Sequence, residues 1–587
     1  MKIRTISMAL VSAGLLWVTP GCKDFYDVNV DPISPTKADL QQVLPVTQTA
    51  ISTYLGFSIA GLGQPTSALM QQISNGRGIG TYQQSGDSFS NQWNGLYSDM
   101  LANNELIITQ GTAEQRWLFV GIAQIQKAYV FSQLVDLFGD VPYSEALKGA
   151  LNRSPRFDKD ADIYNGNQSL GIQGLFALID EGIANLAKGG TSPAARDLIY
   201  GGDPGKWARF GRTLKLKLYV QIRKTRNDAA FQQQVKALLD NPANLLGPND
   251  DFEFKYGASQ SPANRNIGFL SDYVNTAREN NIAPFFYVMM RYGNGTNTVN
   301  PGLAPGRTSD PRIPYYFFNQ LRGAVINSSS YDYQDPGNPD FATTRQGSTG
   351  PASASTLSGS TRTLPGLYPV GGRYDDGRGG EVNSSFGRGL VAQRLLPYFS
   401  RKYLEAEAQL TILGNRAAAR VAFIQAVDAS FAKLNAIAIA EGTSPVPALS
   451  SGSPYPDLNA ARALAPLSTG PSSVVARYDS AAAIRFDGAT PLRTIMEEKY
   501  IASFGMGPDI YTDWRRTGFP IITVPDNGNI GNNAGLLDDN DPATRGAGLF
   551  PRRLFYSQQD ITANSNPEAP KTQVDPGSAN YRIFWDR

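Results

Sequence analysis

The chain has 587 residues, with 53 Lys and Arg against 51 Asp and Glu, a formal charge of +2 and no histidine. So balanced a charge gives no electrostatic case for a nucleic-acid partner. Without histidine there are no Ser/His/Asp or Cys/His nucleophilic sites, no imidazole acid–base chemistry and no His-containing zinc site, which excludes most hydrolase mechanisms.

Met1-Lys2-Ile3-Arg4 is a basic start, Ile6 to Val18 is apolar, and Thr19-Pro20-Gly21 leads into Cys22, the only cysteine. This is the pattern of a signal peptide over 1–21. Its apolar run is too short to cross a bilayer core, which takes about 20 helical residues. A cysteine in this place is a lipid-attachment site, with Thr19 where such sites usually carry Leu. The alternative is plain secretion with a spare thiol. Removing the leader with Lys2 and Arg4 takes the formal charge from +2 to 0.

Length alone admits about two to four domains. An apolar content of 41% is that of a globular protein, and 58 Gly and 38 Pro predict long ordered loops. Helical patterns begin over 37–56 and 88–110. Thr112-x-x-Gln115 has the spacing of a capping box, and Leu118, Ile122, Ile125, Tyr129 and Leu134 follow with helical period to Gly139, predicting a helix over 113–138. Weaker periodicity marks 169–188. Asp203-Pro204 opens a further helix by cap and first-turn proline. Trp207, Phe210, Leu214, Leu218 and Ile222 form its apolar face, and Arg209, Arg212, Lys215, Lys217, Arg223 and Lys224 a basic stripe expected to be solvated. Helices are also predicted near 228–240, 401–413, 415–441 and 491–505, with neighbours paired as antiparallel hairpins. Gly, Pro, Ser and Asn dominate 285–395, 443–480 and 520–587, which are expected to form surfaces facing ligand or partner. No strict 34-residue repeat is present.

Several phrases taken together resemble the SusD/RagB family of outer-membrane nutrient-binding lipoproteins. They are Cys22 to Pro32 with Ser34-Pro35-Thr36, Phe131-Ser132-Gln133-Leu134-Val135-Asp136-Leu137-Phe138-Gly139-Asp140-Val141-Pro142-Tyr143, the Asp203 to Arg223 helix, Glu498 to Gly505, and Tyr511-Thr512-Asp513-Trp514-Arg515-Arg516-Thr517-Gly518-Phe519-Pro520. The resemblance implies a mainly α fold, a superhelix of tetratricopeptide-like helical hairpins with long loop-rich insertions. It implies one domain over 22–587, with scaffold at about 36–240 and 396–520. It further implies a protein tethered through Cys22 to the outer membrane of Bacteroidota, facing the exterior and capping a SusC-like TonB-dependent transporter. Lys23-Asp24 resembles the surface-export signal of such lipoproteins. Physically, Phe138 to Tyr143 is a helix end and turn, and Asp513-Trp514-Arg515-Arg516 a buried polar staple.

Saccharides present apolar faces and hydroxyl rims, so binding them takes flat aromatic platforms edged by amides, carboxylates or Arg. Tyr82 and Trp93, in the polar stretch Gly80 to Asn94, are the first candidates, followed by Tyr331, Tyr333, Tyr368 and Tyr374. Trp93→Ala should then weaken binding without unfolding the chain. Tyr315-Tyr316-Phe317-Phe318 is instead expected to be a buried strand or short helix. Glu405 with Glu407, Glu497 with Glu498, and Asp509 with Asp513 are acid pairs of the kind glycosidases use. The first two pairs are expected on helix surfaces, where adjacent side chains diverge, so no catalytic role is assigned. Asp538-Asp539-Asn540-Asp541 lacks a calcium-loop pattern, and Gly201-Gly202-Asp203-Pro204-Gly205-Lys206-Trp207 is a helix start, not a nucleotide loop. No cofactor or metal is expected.

The expected activity is capture of an extracellular oligosaccharide for a transporter. A peptide importer of the same architecture, a structural or adhesive surface lipoprotein and a glycan hydrolase are the alternatives. Intact-mass measurement of membrane-extracted protein should find a mature chain starting at an acylated Cys22, and Cys22→Ala should release the protein from membranes. An unacylated mature chain would contradict this.

Overall fold

The computed structural model describes residues 37–74, 84–275, 278, 280–293, 310–323, 333–335, 338–343, 361–441, 474–522, 551–575 and 579–586. Its main helices are α1 (Leu40–Leu55), α2 (Gly63–Leu69), α3 (Ser90–Gly95), α4 (Ala102–Ala113), α5 (Trp117–Phe138), α6 (Leu175–Ala187), α7 (Pro204–Ile222), α8 (Ala229–Leu239), α9 (Pro284–Tyr292), α10 (Tyr398–Thr411), α11 (Arg416–Ala440), α12 (Val474–Asp487), α13 (Pro491–Ala502), α14 (Gly507–Thr517) and α15 (Gln558–Ala563). Strands among the described residues form only two-stranded antiparallel ribbons, such as Phe252–Phe254 with Gln393–Leu396. The fold is mainly α, as expected.

α5 is buried on nearly every side because it is apolar around its whole circumference, and it forms the central rod of the first half. α6 packs along it through glycine: a Cβ on Gly121 would lie 2.6 Å from the carbonyl oxygen of Gly182, so only glycine permits this approach. α10 and α11 make the corresponding pair in the second half, joined by a short link through Gly414. α11 is the one helix among the described residues long and apolar enough to cross a bilayer, but it is half buried against α10 and α12.

Three expectations need correction here. Thr112 does not cap α5; it lies in the last turn of α4, and a positive φ of 56° at Gln115 breaks the chain before α5 begins at Trp117. α9 is a nine-residue helix at the start of the 285–395 stretch read as irregular, too short to register its period, and α12 starts inside the 443–480 stretch and runs on to Asp487. The stripe on α7 is not a solvated face. Arg209 pairs with Asp250 at 2.7 Å and Lys215 with Asp180 at 2.6 Å, while buried Lys217 pairs with Asp509 and buried Arg223 with Glu407. The start of α7 is as read: Asp203 accepts the backbone N–H of Lys206 at 3.0 Å, with Pro204 in the first turn.

Of the acid pairs expected on helix surfaces, Glu407, Glu497 and Glu498 are buried and Glu405 is half-buried. Arg516 of α14 forks onto both carboxylate oxygens of Glu407 on α10 and bonds Asp513 at 2.7 Å. Arg223 approaches Glu407 at 3.2 Å, and Lys499 of α13 holds the other oxygen of Asp513 at 2.6 Å. Burial alone would raise the pKa of Glu407, but the two guanidiniums outweigh it and hold the carboxyl below its usual range. A second cluster joins Arg312 to Asp310 and Glu498, with the Tyr478 hydroxyl donating between the two acids. The Asp513 to Arg516 phrase is therefore the buried staple that was expected. Tyr315 to Phe318 is likewise buried, as a short helix running into a strand.

Gly139 ends α5 at φ 85°, again as read. Just before it, Asp136 accepts the Tyr164 hydroxyl at 2.6 Å and the indole N–H of Trp585 at 3.0 Å. Burial pushes this carboxyl up to about 6, against those hydrogen bonds and the charges of Lys217 and Arg515.

Glu407→Ala would leave Arg516 and Arg223 buried without their shared counter-charge, at an expected cost of about 3–5 kcal/mol. Asp240→Ala, which removes the exposed Lys236–Asp240 pair, should cost below about 1 kcal/mol. Urea unfolding of both variants measures the contrast, and equal midpoints would contradict it.

Candidate functional site

The helical run from Ser90 to Ala113 is α-helical at both ends and π-helical over Leu96–Leu101. A π segment widens the turn and re-aims side chains, and such segments recur at functional sites. Here it presents Tyr97 and Ser98 to a cavity of about 560 Å³. The wall opposite is the turn carrying Ala146 and Leu147, where Leu147 adopts a positive φ of 65°. Gln559 and Asp560 of α15 close a third side.

The walls combine rings and aliphatic groups with a polar rim. Tyr97 is half-buried and its hydroxyl donates to the carbonyl of Pro142 at 2.7 Å, which fixes the ring. Asn94 and Gln559 are exposed, and their side-chain amides have no hydrogen-bond partner among the described residues. The carboxyl of Asp560 accepts from the Trp93 side chain, and burial raises its pKa above the usual carboxylate range. Among the described residues no Lys or Arg lines the cavity. An apolar floor, two amides and one oriented carboxyl suit a neutral polyhydroxylated solute.

Of the sequence candidates whose side chains are described, Trp93 alone reaches this cavity, and in a different role from the one expected. It sits in α3, not in a loop, and is 2% exposed. Tyr97, Phe138, Phe157 and Tyr556 surround it at centroid distances of 5.0–6.3 Å, so it backs the site and is no open platform. Tyr368 and Tyr374 are also interior. Tyr368 stacks on Tyr316 at 4.6 Å and donates to the Ala502 carbonyl at 2.8 Å, and Tyr374 meets Tyr315 edge-on at 4.7 Å. Irregular backbone was mistaken for exposed backbone at these two tyrosines. Tyr333 lies on a strand opposite Thr343. Cys22, Tyr82, Tyr331 and the Asp538 to Asp541 run lie outside the described residues. Tyr97 was missed, although its position one helical turn after Trp93 places both rings on one face.

A larger cleft of about 1110 Å³ lies between α11, the start of α10 and the 248–255 segment. Its charges are largely spent on one another: Lys433 holds Asp251 at 2.7 Å and Glu253 at 2.6 Å. Its α11 wall sets Ala429, Ala432 and Ala436 among larger side chains such as Gln425, Phe431 and Ile439. Among the described residues no group of three or more His, Cys, Asp and Glu is placed to hold a metal ion.

The family model described as starch-binding and associating with the outer membrane matches residues 63–537, most of the chain and every scaffold helix from α2 to α14. The chain belongs to the SusD-like family. A SusD/RagB family protein from Bacteroides thetaiotaomicron superposes with TM-score 0.61 at 20% identity, over 94% of this chain and 99% of that one. A chitin-binding protein gives TM-score 0.61 at 19% identity, over 93% and 100%. A chitin-binding SusD homolog from Flavobacterium johnsoniae gives 0.54 at 17%, over 93% and 97%. These likenesses establish the SusD-like fold. Comparison with curated proteins gives no match. As a SusD-like chain, this is a nutrient-binding protein associated with the outer membrane.

Trp93→Ala should behave as a core truncation in this SusD-like fold, costing about 3–5 kcal/mol. A lowered melting midpoint checks this; an unchanged one would return Trp93 to the surface.

Proposed function

We propose that this SusD-like chain is a non-catalytic receptor that takes an oligosaccharide into the cavity beside Tyr97 and passes it to a SusC-like TonB-dependent transporter. In this reading Cys22 carries the lipid that holds a single domain, 22–587, on the outer face of the outer membrane. The observation that carries it is the pairing of the Tyr97 ring with the free amides of Asn94 and Gln559 at one cavity mouth. Sugar CH groups stack on the ring while hydroxyls exchange water for the amides and the Asp560 carboxyl.

No bond in the solute has to break. The acids that a hydrolase reading would recruit are held in ion pairs, Glu407 by Arg516 and Arg223, Glu498 by Arg312 and Arg485, and Asp509 by Lys217. Confinement supplies the driving force. A solute held by a receptor seated over a transporter mouth is presented at an effective concentration set by the small enclosed volume. The chitin-binding names of two structural relatives agree with a glycan in preference to a peptide.

Calorimetry of neutral gluco- and chito-oligosaccharides with the protein starting after Cys22 tests the reading. Tyr97→Ala and the double change Asn94→Ala with Gln559→Ala should each weaken binding by about tenfold, roughly 1.4 kcal/mol; the amide double variant should melt close to the parent, and Tyr97→Ala lower for its lost packing on Trp93 and Phe131. Full affinity in both variants would place the ligand elsewhere.

A further inference from the structure

Within the α7 stripe, Arg212 stands apart once the ion pairs are drawn. Arg209, Lys215, Lys217 and Arg223 each have a carboxylate, whereas Arg212 has no ion-pair or hydrogen-bond partner among the described residues. It is half-buried. Arg212, Lys215 and Tyr219 follow one another at spacings of three and four, so they share one face of α7. That face forms a wall of a separate cavity of about 330 Å³, completed by Gln234 of α8 and by Asn241 and Asn244 just beyond it.

The charge there is not cancelled from across the cavity. Lys215 Nζ lies 2.6 and 2.7 Å from the two oxygens of Asp180, and Lys236 of α8 and Asp240 just past its end neutralise each other in the same way. The guanidinium of Arg212 is therefore the uncompensated charge of the wall. Around it stand groups that hydrogen-bond without adding charge. The Asn241 amide nitrogen is committed to the Ala237 carbonyl at 3.2 Å, leaving its oxygen as an acceptor. The Tyr219 ring is fixed by stacking on Phe176 at 4.5 Å, with its hydroxyl left as a donor.

We infer that this cavity is a binding site for the oxyanion group of a small solute, a carboxylate, sulfate or phosphate taken in the planar fork of Arg212. The amides of Gln234, Asn241 and Asn244 meet the neutral remainder. A guanidinium offers paired N–H donors matched to two oxygens of such a group, which a neutral sugar does not possess. The volume is at the low end of small-molecule sites, about 300–1,000 Å³, and fits a single acidic sugar or a free anion better than an extended chain. The site shares no lining residue with the Tyr97 cavity, which has no Lys or Arg among its described lining residues.

The test is titration of the soluble protein with glucuronate, glucose 6-phosphate, sodium sulfate and glucose, followed by calorimetry and ligand-observed NMR. The expected result is saturable millimolar binding of the anions and none of glucose, weakened by added salt. Glucuronate or the sugar phosphate binding more tightly than sulfate identifies a sugar-borne group; equal binding identifies a free anion, and either supports the site. Arg212→Gln should lose about tenfold in affinity, Arg212→Lys should recover part of it as a point charge, and Tyr97→Ala should change nothing. Because Arg212 anchors no other residue, both of its variants should melt like the parent. Absence of saturable anion binding, or undiminished binding by Arg212→Gln, would overturn the proposal.

Discussion

The fork of Arg516 on Glu407 is the interaction on which the rest of the structure depends. It joins α14 to α10, and through Arg223 and Lys499 it draws in the end of α7 and α13, so elements nearly 300 residues apart in sequence share one buried charge cluster. Apolar packing is non-directional, whereas a buried bidentate ion pair fixes the relative position of the two helices that carry it. Once these helices are in register, the central α5–α6 pair and the α10–α11 pair are fixed relative to each other, and the loops between them have defined places to attach. The Arg312, Asp310, Glu498 and Tyr478 cluster repeats the device between α12, α13 and the 310–318 segment.

Much of the scaffold was legible because long amphipathic or wholly apolar runs such as Trp117–Phe138 and Arg416–Ala440 leave no other reading. Helix ends followed local chemistry where that chemistry was strong, as at Asp203 and Gly139, and misled at Thr112, where a neighbouring residue with positive φ moved the boundary. Exposure was much less legible. Nothing in the sequence separates a glutamate that faces water from one that faces an arginine a hundred positions away, and Glu407 shows the result. The same blindness put Trp93, Tyr368 and Tyr374 on the surface when each is enclosed by other rings.

The cavity beside Tyr97 was only half visible for a related reason. Its polar rim comes from Asn94 and Gln559, residues that local patterning treats as ordinary surface, brought together by the docking of α15 on the 90–113 run. The basic stripe of α7 behaved in the opposite way: it was plain in the sequence, yet its meaning lay in which cations the fold consumed and which one it left.

Trp585 and Asp136 show what this organisation demands of a chain made from one end to the other. The carboxyl of Asp136 receives the indole of a residue synthesised 449 positions later, and Asp586 beside it binds Arg552. Without that indole the carboxyl of Asp136 keeps the Tyr164 hydroxyl but lacks its second donor. Closure of the interior around Asp136 is therefore a long-range event, set by the docking of the 579–586 segment and not by the neighbours of the central helix in sequence.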